Sequence, residues 1–212
     1  MKTYTICLIG LQSQQAVVVG GGHVAARKVE GLLSAEAQVR VISPLLVPEL
    51  QSLVDTGAVT HTQCSYQDGD LDGAFLVVAA TDDEAVNQAV WTEAKARGCL
   101  INVVDDPKHS TFILPAVLQR GEMNVAVSTG GSSPALARRL RERLEEIIGP
   151  EYGTLTEILS ELRPELLAEH PAGEARRQAA LRIIDSEILH IIQSQGKNAA
   201  KIYAREQLHQ QH

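Results

Sequence analysis

The chain has 212 residues, of which 44% are hydrophobic and 21% charged, enough for one substantial α/β domain plus a smaller unit and too apolar for a disordered chain. A formal net charge of -7 argues against a general nucleic-acid binder, although a local basic patch can still hold an acidic small molecule. Cys7, Cys64 and Cys99 lie far apart and form no metal motif, so reduced cytosolic thiols are expected; the first residues lack a signal-peptide pattern and no apolar run is long enough to span a bilayer, so no membrane partner is expected.

Residues 4–9 read as a short strand and Gly10 to Gln15 as a polar turn. Residues 16–19 read as the first strand of a parallel sheet and residues 23–34 as the first helix. Between them stand Gly20, Gly21 and Gly22. The spacing Gly20-x-Gly22-x-x-Ala25 fits a dinucleotide fingerprint with alanine in third place, where glycines let the backbone approach a pyrophosphate and the helix N-terminus presents free N–H groups. Gln38 to Ile42 forms the second strand, stopped by Ser43-Pro44. Residues 47–56 form a short helix ending at Gly57, and Val59 to Cys64 alternates like an edge strand. Residues 74–80 are apolar on both faces, as a central parallel strand requires. Thr81-Asp82-Asp83-Glu84 reads as a capping box opening a helix to Arg97, and Leu100 to Val104 is the next strand. This β-α-β-α-β-β-α-β order predicts a Rossmann-like, doubly wound, mostly parallel sheet.

The pattern then changes. Phe112 to Ala116 and Asn124 to Val127 read as two extra strands. Ser133 caps a helix with Pro134 at its first position, and Leu136, Leu140, Leu144 and Ile147 share one face before Gly149-Pro150 ends it. From residue 151 the chain reads as all-helical. Thr154 and Glu157 make a second capping box, and Leu155, Ile158, Leu159, Leu162 and Leu166 form a stripe. Leu181, Ile184, Ile188 and Ile191 mark another helix, and Gly196 breaks the chain before a last amphipathic piece. The division expected is 1–111 for dinucleotide binding, 112–148 for dimerisation and 149–212 as a helical C-terminal region.

Four places can carry chemistry. Gly20 to Ala25, including His23 and Val24, is the first. Ser43 stands where dinucleotide sites usually place an acidic residue for the adenosine ribose. It can hydrogen-bond a ribose hydroxyl, and the absence of a cation there for a 2′-phosphate favours NAD. Asp105 follows a strand end on the side where open α/β sheets bind ligands, placed to take a proton or steady a cation, while Asp106, before Pro107, reads as the turn-former. The loop Ser128 to Ser133, with Thr129, Gly130, Gly131 and Ser132, is a second anion site. Arg138 and its neighbouring arginines can reach ligand carboxylates or form a solvated helix surface. His109 is near Asp105 in sequence. The seven histidines are scattered without ligand spacing, so no metal site is expected.

Val18 to Lys28, Ala79 to Asp83, Asn102 to Pro107, Phe112 to Ala116 and Ser128 to Arg138 occur in this order, and together they closely resemble the precorrin-2 dehydrogenase family, the N-terminal module of siroheme synthases. The match is firm over residues 1–148 and looser beyond. The resemblance implies NAD-dependent oxidation of precorrin-2 to sirohydrochlorin by a cytoplasmic homodimer. It implies that Asp105 is the essential aspartate, and that Gly20 to Val24, Ser43, Pro44, Leu45 and Thr81 contact NAD. Some members also insert Fe2+ into sirohydrochlorin, with the same aspartate implicated, and the sequence leaves that reading open. The chain ends without a methyltransferase domain, so methylation of uroporphyrinogen is not expected. His23 departs from the family, where an acidic residue is common. The glycine loop and helical tail alone would also permit a non-enzymatic NAD-sensing module, against which the Asn102–Pro107 and Thr129–Pro134 segments argue.

Overall fold

The computed structural model describes residues 3–209. The chain divides into two compact units, one ending at Leu114 and one beginning at Pro115.

The first unit is built on a five-stranded parallel sheet. Its strands are β1 (Gln15–Val19), β2 (Gln38–Ile42), β3 (Thr60–Thr62), β4 (Ala74–Ala79) and β5 (Leu100–Val103), in the order β3-β2-β1-β4-β5. The helices are α1 (His23–Ser34), α2 (Pro48–Asp55) and α3 (Glu84–Arg97). Successive strand residues face opposite ways, and both faces of the central strands are covered. Ala16 and Val18 of β1, with Val78 of β4, join the core that contains Ala25, Ala26 and Val29 of α1 and Leu50 of α2. Val17, Val19, Val77 and Ala79 point the other way, against Val90 and Ala94 of α3. The chain therefore winds outwards in both directions from the β1–β4 pair. Because all the strands are parallel, the segments after β1, β2, β4 and β5 emerge along one sheet edge, where sheets of this order form a crevice.

The second unit opens with an antiparallel hairpin, β6 (Ala116–Arg120) and β7 (Met123–Val127). Helices α4 (Pro134–Ile147), α5 (Glu151–Glu169), α6 (Glu174–Ile184) and α7 (Ile188–His209) follow. Gly196 interrupts α7 with φ 83° and ψ 177°. Leu155, Ile158 and Leu162 of α5 pack with Ala179 and Ile183 of α6 and with Ile188, Ala200, Ala204 and Leu208 of α7. Gly153 lets α5 approach the hairpin, since a Cβ there would stand 2.9 Å from the Arg120 carbonyl carbon. No helix among the described residues is long and apolar enough to cross a membrane.

Several local expectations are corrected. Residues 4–9 are irregular and exposed, Tyr4 and Ile9 almost fully; a β-prone run forms a strand only beside a partner, and these residues have none among those described. Asp83, not Thr81, caps α3, accepting from the Ala85 and Val86 N–H groups. The sixth strand starts at Ala116 rather than Phe112. Pro115 has no N–H to give a ladder, and Thr111 instead donates its N–H to the Ile101 carbonyl of β5. Thr154 lies inside α5, which begins at Glu151. The helix read through Leu181 and Ile191 is two helices, because the Ser186 hydroxyl accepts from Ile188 N–H and restarts the chain at α7.

A ladder of ion pairs joins α5 to α7. Lys197 binds Glu157 and Glu161, Lys201 binds Glu161, Arg205 binds Glu165, and His209 binds Glu169. The 157/197, 161/201 and 165/205 partners are each 40 residues apart, so both helices advance together and run parallel. The bonds from Lys201 and Lys197 hold the Glu161 carboxyl down at about 2. A carboxyl depressed by folding stabilises above its unfolded pKa and loses that contribution as pH falls through its folded one. Acid titration followed by circular dichroism should therefore show stability falling between roughly pH 4.5 and pH 2, and Glu161→Gln should flatten that dependence. The difference should shrink at high salt because these side chains are exposed. A slope identical to the parent's would remove the ladder from the protein's acid response.

Candidate nucleotide and proton-transfer site

The loop after β1 is held by backbone contacts that leave no room for side chains. Gly20 donates its N–H to the Ile42 carbonyl (2.9 Å), and Gly21 accepts from the Val47 N–H (2.8 Å). Gly20 has φ 125°, and a Cβ on it would overlap the Ala80 carbonyl oxygen. A Cβ on Gly21 would overlap the Leu45 carbonyl oxygen and sit 2.5 Å from Ser43 Oγ. Gly22 is different. It is exposed, and a Cβ on it would meet nothing within 4 Å. It occupies the N-cap of α1 without a side-chain cap, and the first helical bond runs from Ala26 N–H to the Gly22 carbonyl. The N–H groups of His23, Val24 and Ala25 thus lie at the uncapped, positive end of the helix dipole, with open space before them. That arrangement fits a pyrophosphate.

The neighbouring strand ends wall this loop. Ser43 is buried and donates its hydroxyl to the Leu45 carbonyl (2.7 Å), while His61 of β3 donates from Nε2 to the Ser43 carbonyl (2.9 Å). Pro44 and Leu45 are exposed beyond it. Thr81 follows β4, and Asn87 pins it: the Thr81 hydroxyl donates to Asn87 Oδ1 (2.9 Å) and Asn87 Nδ2 donates to the Thr81 carbonyl (2.9 Å). His23 points to Glu49 of α2, 3.5 Å away, across exposed surface.

After β5 the two aspartates have separate tasks. Asp106 caps the short 3-10 helix Pro107–His109, accepting from Lys108 and His109 N–H groups, and its Oδ2 accepts from His109 Nδ1 at 2.5 Å. That imidazole bond holds its carboxyl below the usual range. The His109 ring is turned edge-on to Trp91 of α3, with centroids 4.7 Å apart. Asp105 is exposed, has φ 60°, and makes no side-chain hydrogen bond among the described residues. On the α1 side stands half-buried Lys28, whose pKa is lowered by burial and by Arg27, with Asp105 acting in the opposite direction. An exposed carboxylate with a half-buried ammonium in electrostatic reach can accept a proton or steady positive charge. Among the described residues no group of three or more His, Cys, Asp or Glu side chains could hold a metal ion.

In the second unit, the loop before α4 is tied by Thr129, whose hydroxyl accepts from Ser133 N–H (2.9 Å) and donates to the Ser133 carbonyl (3.0 Å). Gly130 and Gly131 have positive φ, Ser132 is exposed, and the Ser133 hydroxyl caps the helix. Arg138 is exposed and pairs with Glu142 at 3.3 Å. Sequence reasoning did not single out Asn87 or Lys28, which sit at ordinary helical positions; the fold brings Asn87 to Thr81 after β4 and Lys28 within electrostatic reach of Asp105.

The glycines should differ in their effects. Gly21→Ala forces backbone against backbone and should destabilise by about 1–3 kcal/mol or more. Gly22→Ala should leave the thermal midpoint close to the parent's, because its Cβ enters open space. Equal losses at both positions, measured by thermal unfolding, would contradict this reading of the loop.

Residues 7–116, just over half of the chain, match the family model described as Putative NAD(P)-binding, and residues 120–147 match the one described as Sirohaem biosynthesis protein central. The chain is 42% identical over 191 residues to a siroheme synthase of Chromobacterium violaceum, covering 90% of this chain and 41% of that protein. It is 44% identical over 177 residues to a siroheme synthase of Methylobacillus flagellatus, covering 84% and 38%. The chain thus spans about two fifths of the length of these curated relatives. Among solved structures it resembles SirC, a precorrin-2 dehydrogenase, with a TM-score of 0.72 and 28% identity over 97% of this chain and 98% of that one. The chain belongs to the putative NAD(P)-binding family, and its likeness to siroheme synthases and to SirC runs on beyond that module.

Proposed function

We propose that the protein oxidises precorrin-2 to sirohydrochlorin with NAD as the hydride acceptor. The observation that carries this reading is the sharing of one sheet edge by an uncapped, glycine-lined helix N-terminus and the free carboxylate of Asp105. Its similarity to siroheme synthases and to the precorrin-2 dehydrogenase SirC supplies the substrate class.

When bound, the nicotinamide supplies the acceptor for a hydride. The protein's own part is alignment and proton transfer. Gly22 would leave space for a pyrophosphate, which the N–H groups of His23, Val24 and Ala25 would hold. Ser43, Pro44, Leu45 and Thr81 would border the rest of the dinucleotide. No cation stands among Ser43, Pro44 and Leu45 to bind a 2′-phosphate, which favours NAD over NADP. The macrocycle loses two electrons and one hydrogen as hydride; a second hydrogen leaves as a proton, which Asp105 accepts and passes to water. Thr129, Gly130, Gly131, Ser132 and Arg138 offer backbone N–H groups, hydroxyls and a guanidinium to substrate carboxylates. Local groups of this kind let an acidic chain bind an acidic ligand.

Two further parts of the reading concern setting. Leu136, Leu140 and Ile147 of α4 are 51%, 38% and 70% exposed, an apolar stripe suited to a second copy of the chain. A cytoplasmic setting suits the three free cysteines.

Purified protein given NAD and freshly made precorrin-2 should form NADH and the sirohydrochlorin spectrum, with NADP the poorer cofactor. Folded, NAD-binding protein without turnover would overturn the proposal. Asp105→Ala should keep fold and NAD affinity while turnover falls by about a hundredfold or more; unchanged turnover would take Asp105 out of the reaction. Gly22→Ala should raise the Kd for NAD. Sedimentation should give a dimer that Leu140→Glu dissociates.

A further inference from the structure

The turn that carries Asp105 is held by a side chain that the proposed reaction does not use. The Asp106 N–H donates to the Val103 carbonyl at 3.1 Å, so Val104 and Asp105 are the central residues of a β-turn. Asp105 has φ 60° at the second central position, where a left-handed residue is ordinarily glycine or asparagine. A backbone of this kind stores strain and persists only where its surroundings over-determine it.

Here one hydroxyl ties both ends of the turn. Ser110 Oγ accepts from the Val103 N–H at 2.9 Å and donates to the Asp106 carbonyl at 2.8 Å, with the Val103 carbonyl 3.3 Å away as the alternative acceptor. The first and last residues of the turn are thus tied to the same atom. The Val104 N–H donates to the Ala79 carbonyl at 2.9 Å, which anchors the turn to β4. Ser110 is itself held in place by its neighbour. Thr111 Oγ1 accepts from the Ile101 N–H (2.9 Å) and the Thr111 N–H donates to the Ile101 carbonyl (2.8 Å). Asp106 is committed to its cap and to His109, which leaves Asp105 as the carboxylate that this frame presents to solvent.

We infer that Ser110 is a positioning residue for Asp105, its hydroxyl clamping both ends of the strained turn so that the carboxylate is presented at the sheet edge. The inference rests on the role proposed above for Asp105. Ser110 touches no reacting atom and acts only through the turn.

The test is a cycle of four proteins, the parent, Ser110→Ala, Asp105→Gly and the double variant, with Ser110→Thr as the conservative control. Glycine adopts φ 60° without strain, so Ser110→Ala should lower the thermal midpoint of the parent by more than it lowers that of Asp105→Gly. In turnover, Ser110→Ala should reduce kcat by about ten- to hundredfold, the scale of a small misplacement of a reacting group. Its KM values for NAD and precorrin-2 should stay within about twofold, and Ser110→Thr should restore kcat. Equal midpoint losses in the two backgrounds would overturn the inference, as would parental kcat in folded Ser110→Ala. If Ser110→Ala fails to fold, rescue by Asp105→Gly supports the clamp and failure of rescue overturns it. A parent without turnover defeats the proposed function, while the midpoint comparison still decides the clamp.

Discussion

Backbone meets backbone at the end of β1, and the first unit is arranged around that contact. The carbonyl of Leu45, after β2, lies where a Cβ of Gly21 would be, and the carbonyl of Ala80, after β4, lies where a Cβ of Gly20 would be. Three strand ends can converge only because these positions carry no side chain. The convergence also sets the direction of α1. Its first turn begins at Gly22, the one glycine of the loop with open space in front of it, so the uncapped N–H groups face the crevice and not the core. Close packing and open space are thus divided among adjacent glycines.

The same sheet edge carries a second close arrangement, made of hydrogen bonds. Ser110 and Thr111 return their hydroxyls to β5, at Val103 and Ile101, and Asn102 donates its side-chain N–H to the Phe112 carbonyl at 3.1 Å. The segment leaving β5 is therefore laid back along the strand it came from. One consequence is that Asp105 sits in a left-handed turn while Asp106 is consumed by capping and by His109. Two adjacent residues of identical chemistry acquire different environments, and only one keeps a carboxylate free for other work. Backbone strain and an exposed carboxylate coincide at Asp105.

The second unit is stabilised differently. Aromatic residues are few, and its core is aliphatic, drawn from Leu155, Ile158, Leu162, Ile183, Ile188 and Leu208. Around that core, glutamates of α5 face lysines and arginines of α7 at steps of four residues, which is the repeat of one helix face. Exposed pairs contribute little singly. Their regularity fixes the register of the two parallel helices more than it adds to stability. The stripe on α4 remains largely outside this core, with only Ala137 of that helix buried.

Much of this was written in short-range pattern. The buried run Ala16 to Val19, the glycines after it, the two-sided apolar strand at 74–79 and the proline-opened helix at 134 depend on periodicity and backbone freedom, which a sequence shows directly. These determined the parallel sheet, the glycine loop and the helical end of the chain. What the sequence could not express were choices between equivalent local options. Asp83 and Thr81 both suit a helix cap, and the tie broke for Asp83 because Asn87 engages Thr81. Residues 4–9 have the composition of a strand but lack a neighbour to pair with among the described residues. Asp105 and Asp106 look alike in the chain. Their separation, the bonds of Ser110 to Val103 and Asp106, and the electrostatic reach of Lys28 to Asp105 join residues apart in sequence or alternatives equal in local energy. Only tertiary packing, which decides which groups meet, could settle them.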